Sequence, residues 1–379
     1  MRRVNHSPPH GPNAASYEMP NGDSHVAKSI AHALAKDIEN DLVFFKVKSL
    51  DDSKYKNDAV RKSIRQEILI GMADKFCKVI KSQSLDGVKT IPGELRKILE
   101  EKKFEFFEPR HAEWFLEGIV LEHEAATSLS QTLRQYPNLP QKFTANDAWR
   151  LIIDGARQTG NFSPYCFDYD ECGYIQGATF ALEYALSINP AKIDHEVIYN
   201  VHEIATRNTM DATGFLASPL YRTGLMYFVG HMKKNVSPEG EKELVEKTQT
   251  SGSLLFGWLA VEKAATEHLF FRYVKGDPQQ AVIRLEMATA AYHATMAVAD
   301  TEDKKLSCIA TLAKDIDQLH VFNDANLRTA YIIANSLLIN HGLSPMIMDY
   351  PDVIDGHTTP ELVELFKKGQ LVFRRLFSD

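Results

Sequence analysis

Leu306-Ser-Cys-Ile-Ala-Thr-Leu-Ala-Lys-Asp-Ile-Asp-Gln-Leu319 sets Leu306, Ile309, Leu312, Ile316 and Leu319 at intervals of three, three, four and three. That is the spacing of one buried face of a helix. The helix delivers His320 at its C-terminal end. Residues 329–340 read as a second helix, with Ile332, Ile333, Leu337 and Leu338 inward, closed by His341-Gly342 and then Pro345. Between the two lies His320-Val321-Phe322-Asn323-Asp324-Ala325-Asn326-Leu327-Arg328, where the polar side chains gather.

Working outward, helical spacing recurs along the chain while strand-like alternation is scarce, so the expected fold class is all-α. Helices are expected at 145–158, 177–187, 194–207, 239–265, 278–299, 303–319 and 326–340. Earlier, Val26, Ile30, Ala33 and Leu34 form one apolar series, and Val60, Ile64, Ile68, Met72 and Phe76 another. Residues 110–135, with Trp114, Ile119, Leu121 and Leu129, make a further helix. A β-hairpin is expected within 214–230, where Leu220, Tyr221, Met226, Tyr227, Phe228 and Val229 surround Gly224. Residues 1–24 have almost nothing apolar to bury and read as a disordered tail. Tyr136-Pro-Asn-Leu-Pro140 can break a helix twice, which suggests an N-terminal helical region at 25–140 and a second domain at 141–379.

With 379 residues, 44% of them hydrophobic, the chain can bury one large or two smaller cores. A net charge of −7 gives no general attraction to nucleic acid, so none is expected as a partner. Cys77, Cys166, Cys172 and Cys308 have neither disulfide-framework nor zinc-site spacing. With no apolar run of about 18 residues and no secretory leader pattern, no membrane span is expected. The expected setting is cytoplasmic, or the cytosol of another cell into which an effector is delivered.

The junction after Leu319 holds the parts of a phosphate site. A helix N-terminus offers free N–H groups and the positive end of the dipole, so the turn 324–328 can take phosphate oxygens. Ala325 permits close backbone approach and Arg328 adds a forked donor. Asp324 can hold a magnesium ion that bridges phosphates. His320 can take the proton from an attacking hydroxyl, and Phe322 is the apolar anchor. His202, His293 and His341 lie on helical segments and read as packed or capping residues.

At these residues the chain resembles the Fic/Doc family, whose loop reads His-x-Phe-x-(Asp/Glu)-(Gly/Ala)-Asn-(Gly/Lys)-Arg between two helices. His320, Phe322, Asp324, Ala325, Asn326 and Arg328 match, and the wording through Thr329-Ala330 is similar to the Doc branch. Leu327 departs from the pattern, and Tyr331 stands where many AMP-transferring members carry a second arginine. The resemblance covers roughly 140–350. It implies a catalytic His320, a nucleotide cradle of Asn323, Ala325, Asn326, Leu327 and Arg328, a magnesium ligand at Asp324, and a target-docking flap in the 214–230 hairpin with Tyr221 and Arg222. The family's inhibitory pattern, (Ser/Thr)-x-x-x-Glu-(Gly/Asn), has no match.

The activity this implies is transfer of AMP from ATP, with Mg2+, to a Ser, Thr or Tyr hydroxyl of a target protein. Alternatives are phosphorylation from a reversed nucleotide, transfer of phosphocholine or UMP, and a non-catalytic nucleotide- or protein-binding module. An arginine placed at Tyr331 is expected to face the phosphates and strengthen ATP binding. The sequence does not fix an oligomeric state.

Overall fold

The computed structural model of the chain describes residues 21–44, 58–82, 85–102, 109–158, 173–207, 209, 227–229, 235–249, 259–263, 269–273, 278–322 and 324–378. The chain forms two compact units, Met1–Leu116 and Glu117–Asp379, whose boundary falls inside helix α5 (Pro109–Leu133). Tyr136 lies in the second unit, where its hydroxyl donates to the carbonyl of Leu186 (2.6 Å) and to Asn340 Oδ1 (2.7 Å).

The first unit holds α1 (Asn21–Phe44), α2 (Asp58–Ser82), α3 (Leu85–Val88) and α4 (Ile91–Glu101). Helix α1 begins at Asn21, within the stretch expected to be a tail. Its buried stripe is Ala27, Ala31, Leu34, Ala35, Ile38 and Leu42, while Val26 is 45% exposed. The stripe is therefore shifted from the Val26–Ile30–Ala33 series and keeps only Leu34 of the expected residues. Ile68, Met72 and Phe76 are buried on α2 as their spacing predicts.

The second unit is built around two long helices, α10 (Glu302–Leu319) and α11 (Asn326–Asn340). Around them stand α6 (Tyr174–Ser187), α7 (His195–Thr206), α9 (Pro278–Met296) and the C-terminal α12 (Thr359–Phe377). Every residue of α11 from Thr329 to Ile339 is buried, so it is a central helix covered on all sides. Its hydroxyls at Thr329 and Ser336 donate to local carbonyls, of Ala325 and Ile333, while Asn335 is satisfied by distant backbone. Asn335 Nδ2 donates to the Leu151 carbonyl (3.1 Å), and its Oδ1 accepts from Met346 N (2.8 Å). Helices α6 and α7 meet at Gly177, where a Cβ would lie 2.5 Å from the Ala205 carbonyl oxygen.

The class is all-α, with one small antiparallel sheet among the described residues. Its strands β1 (Tyr227–Val229), β2 (Leu259–Lys263) and β3 (Leu269–Tyr273) run in the order β1-β3-β2, with Phe228 opposite Phe271 and Val261 opposite Phe271. The helix expectations change at two places. The helix expected at 239–265 is α8 (Pro238–Gln249), and Leu259–Lys263 is a strand. Of the hairpin expected within 214–230 only β1 is described, and it pairs with β3, downstream of α8. Tyr221 and Arg222 lie outside the described residues. The helix expected at 145–158 is two 3-10 turns, Ala145–Leu151 and Gly155–Gln158. It breaks because Gly155 N donates to the Met348 carbonyl (2.7 Å) instead of continuing its own helix.

Candidate active site

Helix α10 ends at His320, which takes the left-handed conformation (φ 46°, ψ 46°) and donates its N–H to the Asp317 carbonyl (3.1 Å). The chain then dives inward, and Val321 and Phe322 are fully buried. It turns again at Ala325, also left-handed (φ 59°, ψ 23°), and enters α11. Two non-glycine residues in this region are uncommon and cost roughly 1 kcal/mol each, so other contacts must hold the turn.

Asn326 is one of them. Its Oδ1 accepts from Phe322 N (2.9 Å) and its Nδ2 donates to the Phe322 carbonyl (3.0 Å), a two-point clamp on a residue only 2% exposed. Its side chain thus closes the loop, and its backbone N–H stands at the first turn of α11. Thr329 supplies a second tie, with N (2.9 Å) and Oγ1 (2.8 Å) both donating to the Ala325 carbonyl. At the first turn the N–H groups of Asn326 and Leu327 have no acceptor within the helix. The half-buried Leu327 side chain rests against the core, and Ala325 is 5% exposed. Asn323 lies outside the described residues.

Asp324 projects outward, its side chain 66% exposed, 3.1 Å from the Arg328 guanidinium. Its Oδ1 accepts from Ala325 N (2.6 Å). Burial pushes this carboxyl up, but the Arg328 charge and the Ala325 N–H outweigh it, so the carboxyl sits below its ordinary value and is ionised at neutral pH. Arg328 also lies over the Tyr174 ring, 4.9 Å from its centroid, which orients the guanidinium. His320 Nδ1 is 3.4 Å from the Asp317 carbonyl oxygen. Because a carbonyl only accepts, this long contact favours a proton on Nδ1 and leaves Nε2 as the basic nitrogen.

No group of three His, Cys, Asp or Glu residues suited to a metal occurs among the described residues. Asp324 alone fits magnesium in the way that ion is usually held in nucleotide sites, by one or two carboxylates plus the phosphates themselves. It is ionised, exposed and beside the helix N-terminus.

Tyr331 corrects the sequence reading. It is 2% exposed, its hydroxyl donates to the Met346 carbonyl (3.2 Å) and accepts from Met348 N (2.9 Å), and burial pushes its pKa up. It therefore serves the core on the far side of α11. A residue at this position does not face a ligand on the loop. Two residues that do bear on the loop were not singled out as functional, Tyr174 and His202. The His202 ring stacks on Phe322 (3.8 Å, 12°), and its Nε2 is 2.9 Å from the Asp324 carbonyl oxygen. It is packed as expected, but nothing in its local sequence shows that it reaches a loop 122 residues away.

The loop lies between two helices, α10 and α11, as the sequence reading expects. No protein-family model matches the chain. It is similar to phosphocholine transferase AnkX of Legionella pneumophila, 29% identical over 137 residues, which is 36% of this chain. The match covers 13% of that protein's length. Among the described residues no helix is long and apolar enough to cross a membrane.

Proposed function

We propose that the chain is a Fic-type transferase that moves a phosphate-linked group from a nucleotide to a hydroxyl of a target protein. One observation carries this reading. The two left-handed turns at His320 and Ala325 bracket a buried anchor, so that an imidazole and an open helix N-terminus with Asp324 and Arg328 share one short loop. The distant similarity to a phosphocholine transferase supports the same class.

In the first reading the group is AMP from ATP. The target oxygen bonds to the α-phosphorus, His320 takes its proton, and the bond to the bridging oxygen breaks so that pyrophosphate leaves with the electron pair. The N–H groups at the start of α11 and the Arg328 guanidinium hold phosphate oxygens and stabilise the charge on the leaving group. Asp324 would hold magnesium, which would supply charge neutralisation at the phosphates when bound. In the second reading the group is phosphocholine from CDP-choline, with attack at the choline-bearing phosphorus and departure of CMP. The burial of Tyr331 favours it, since no second cation stands at that position to hold a third phosphate, and so does the activity for which AnkX is named.

Incubation in a protein extract with α-labelled ATP, γ-labelled ATP and choline-labelled CDP-choline, with and without magnesium, tests both readings. Label from α-ATP supports AMP transfer, label from CDP-choline supports the second reading, and no label from any donor overturns the proposal.

A further inference from the structure

We propose that His202 is a positioning residue for this loop, its Nε2–H holding the Asp324 carbonyl and thereby setting the direction of the Asp324 carboxylate and of the first turn of α11. The residue sits on the buried face of α7 with Val197, Ile198 and Val201, and is 0% exposed. Its ring touches the loop on both sides of Asn323. The flat face lies on Phe322, while Nε2 reaches the Asp324 carbonyl oxygen at 2.9 Å. Since that oxygen can only accept, the proton is on Nε2. Nδ1 is then a bare nitrogen, and it is buried with no hydrogen-bond partner.

A packing role alone does not account for this polar ring. Phenylalanine would stack on Phe322 equally well and would leave no buried nitrogen without a partner. What histidine adds is the bond to Asp324. That bond acts on a lever, because the Asp324 carbonyl and the Ala325 N–H are opposite ends of one planar peptide unit. Holding the carbonyl fixes where the N–H points, and that N–H holds Asp324 Oδ1 at 2.6 Å. One buried ring thus orients the carboxylate that faces Arg328, at a residue whose left-handed neighbour gains nothing from local preference.

The functional half of this inference rests on the loop's reading as a phosphate site, whereas the positional half does not. Two substitutions separate bond from packing. His202→Gln places an amide N–H near the former Nε2 and gives up the stack, and His202→Phe keeps the stack and gives up the bond. Nitrogen NMR of the unaltered protein at neutral pH should show His202 protonated on Nε2 alone. Exchange of the Ala325 amide proton should quicken at least tenfold in His202→Phe and stay within threefold in His202→Gln. Affinity for Mg-ATP and Mg-CDP-choline, and transfer from whichever donor is used, should follow the same order. A proton on Nδ1, or a phenylalanine variant equal to or better than the glutamine variant in amide exchange, overturns the proposal. If the unaltered protein binds neither nucleotide, the proposed function fails, and tautomer and exchange still decide the role of His202.

Discussion

Asn326 closes the loop through its side chain. Its amide bonds to both backbone groups of Phe322, and alanine would remove both bonds. Each is worth about 0.5–1.5 kcal/mol, so Asn326→Ala should lower the melting temperature and quicken amide exchange across the loop. Asn326→Asp should recover part of the loss, because a carboxylate still accepts from Phe322 N but cannot donate to its carbonyl. Equal melting curves for all three proteins would contradict the clamp. At Tyr331 the expectation from sequence reverses. An arginine there would bury a charge and drop two hydrogen bonds to the Met346 and Met348 backbone, costing about 3 kcal/mol or more. Tyr331→Arg should therefore melt earlier than the unaltered protein with no gain in ATP affinity, and a titration showing tighter ATP binding would restore the earlier reading.

At the scale of elements, Gly177 decides how closely α6 and α7 approach. Both helices bear on the loop, α6 through Tyr174 under Arg328 and α7 through His202. A Cβ at Gly177 would stand 2.5 Å from a backbone oxygen, so Gly177→Ala must push the pair apart, at a cost of about 1–3 kcal/mol. The displacement should reach the loop. Melting and nucleotide affinity are expected to fall together, and a fully stable variant would show that the helices can part freely. The helix–loop–helix was readable because the spacing from Leu306 to Leu319 and the matching loop residues are local signals. The full burial of α11 was not, since Asn335 and Ser336 read as polar positions, yet Asn335 bonds to residues 151 and 346 and Ser336 Oγ donates to the Ile333 carbonyl of its own helix. The strand at Leu259–Lys263 escaped for a similar reason. Its identity depends on pairing with Leu269–Tyr273, and an apolar-rich stretch without that partner continues a helical pattern.

On the scale of the whole second unit, α8 is tied to α10 through charges that are costly to bury. Lys314, 1% exposed, pairs with Glu243 at 2.7 Å, and Gln318 Nε2 donates to the Asp355 carbonyl at 2.6 Å. Burial, and then the charge of Asp352, push Asp355 up to about 7, with Lys314 opposing. Burial, then Asp355 and Asp352, also push Asp317 up. Between about pH 4 and pH 7 the folded Asp317–Asp355 pair holds a proton that the unfolded chain has released, so the pair's stabilising contribution is present at low pH and is lost as pH rises through 7. Asp355→Asn should therefore stabilise the protein at pH 7 to 8 by at least about 1.4 kcal/mol, the worth of one pK unit, and make little difference near pH 4. Denaturant unfolding at the two pH values checks this, and an equal effect at both would contradict it.

The proposed mechanism has His320 activate a hydroxyl while the start of α11 holds phosphate. Its most direct test is magnesium-dependent labelling of protein by the unaltered chain and by His320→Ala, compared after both show the same melting curve. His320 is half-exposed at a helix end, so truncation opens no core cavity. A positioned general base contributes on the order of 10²–10⁴-fold, and the variant should lose label by that factor while binding the nucleotide as before. Undiminished labelling by a folded His320→Ala protein would contradict the mechanism.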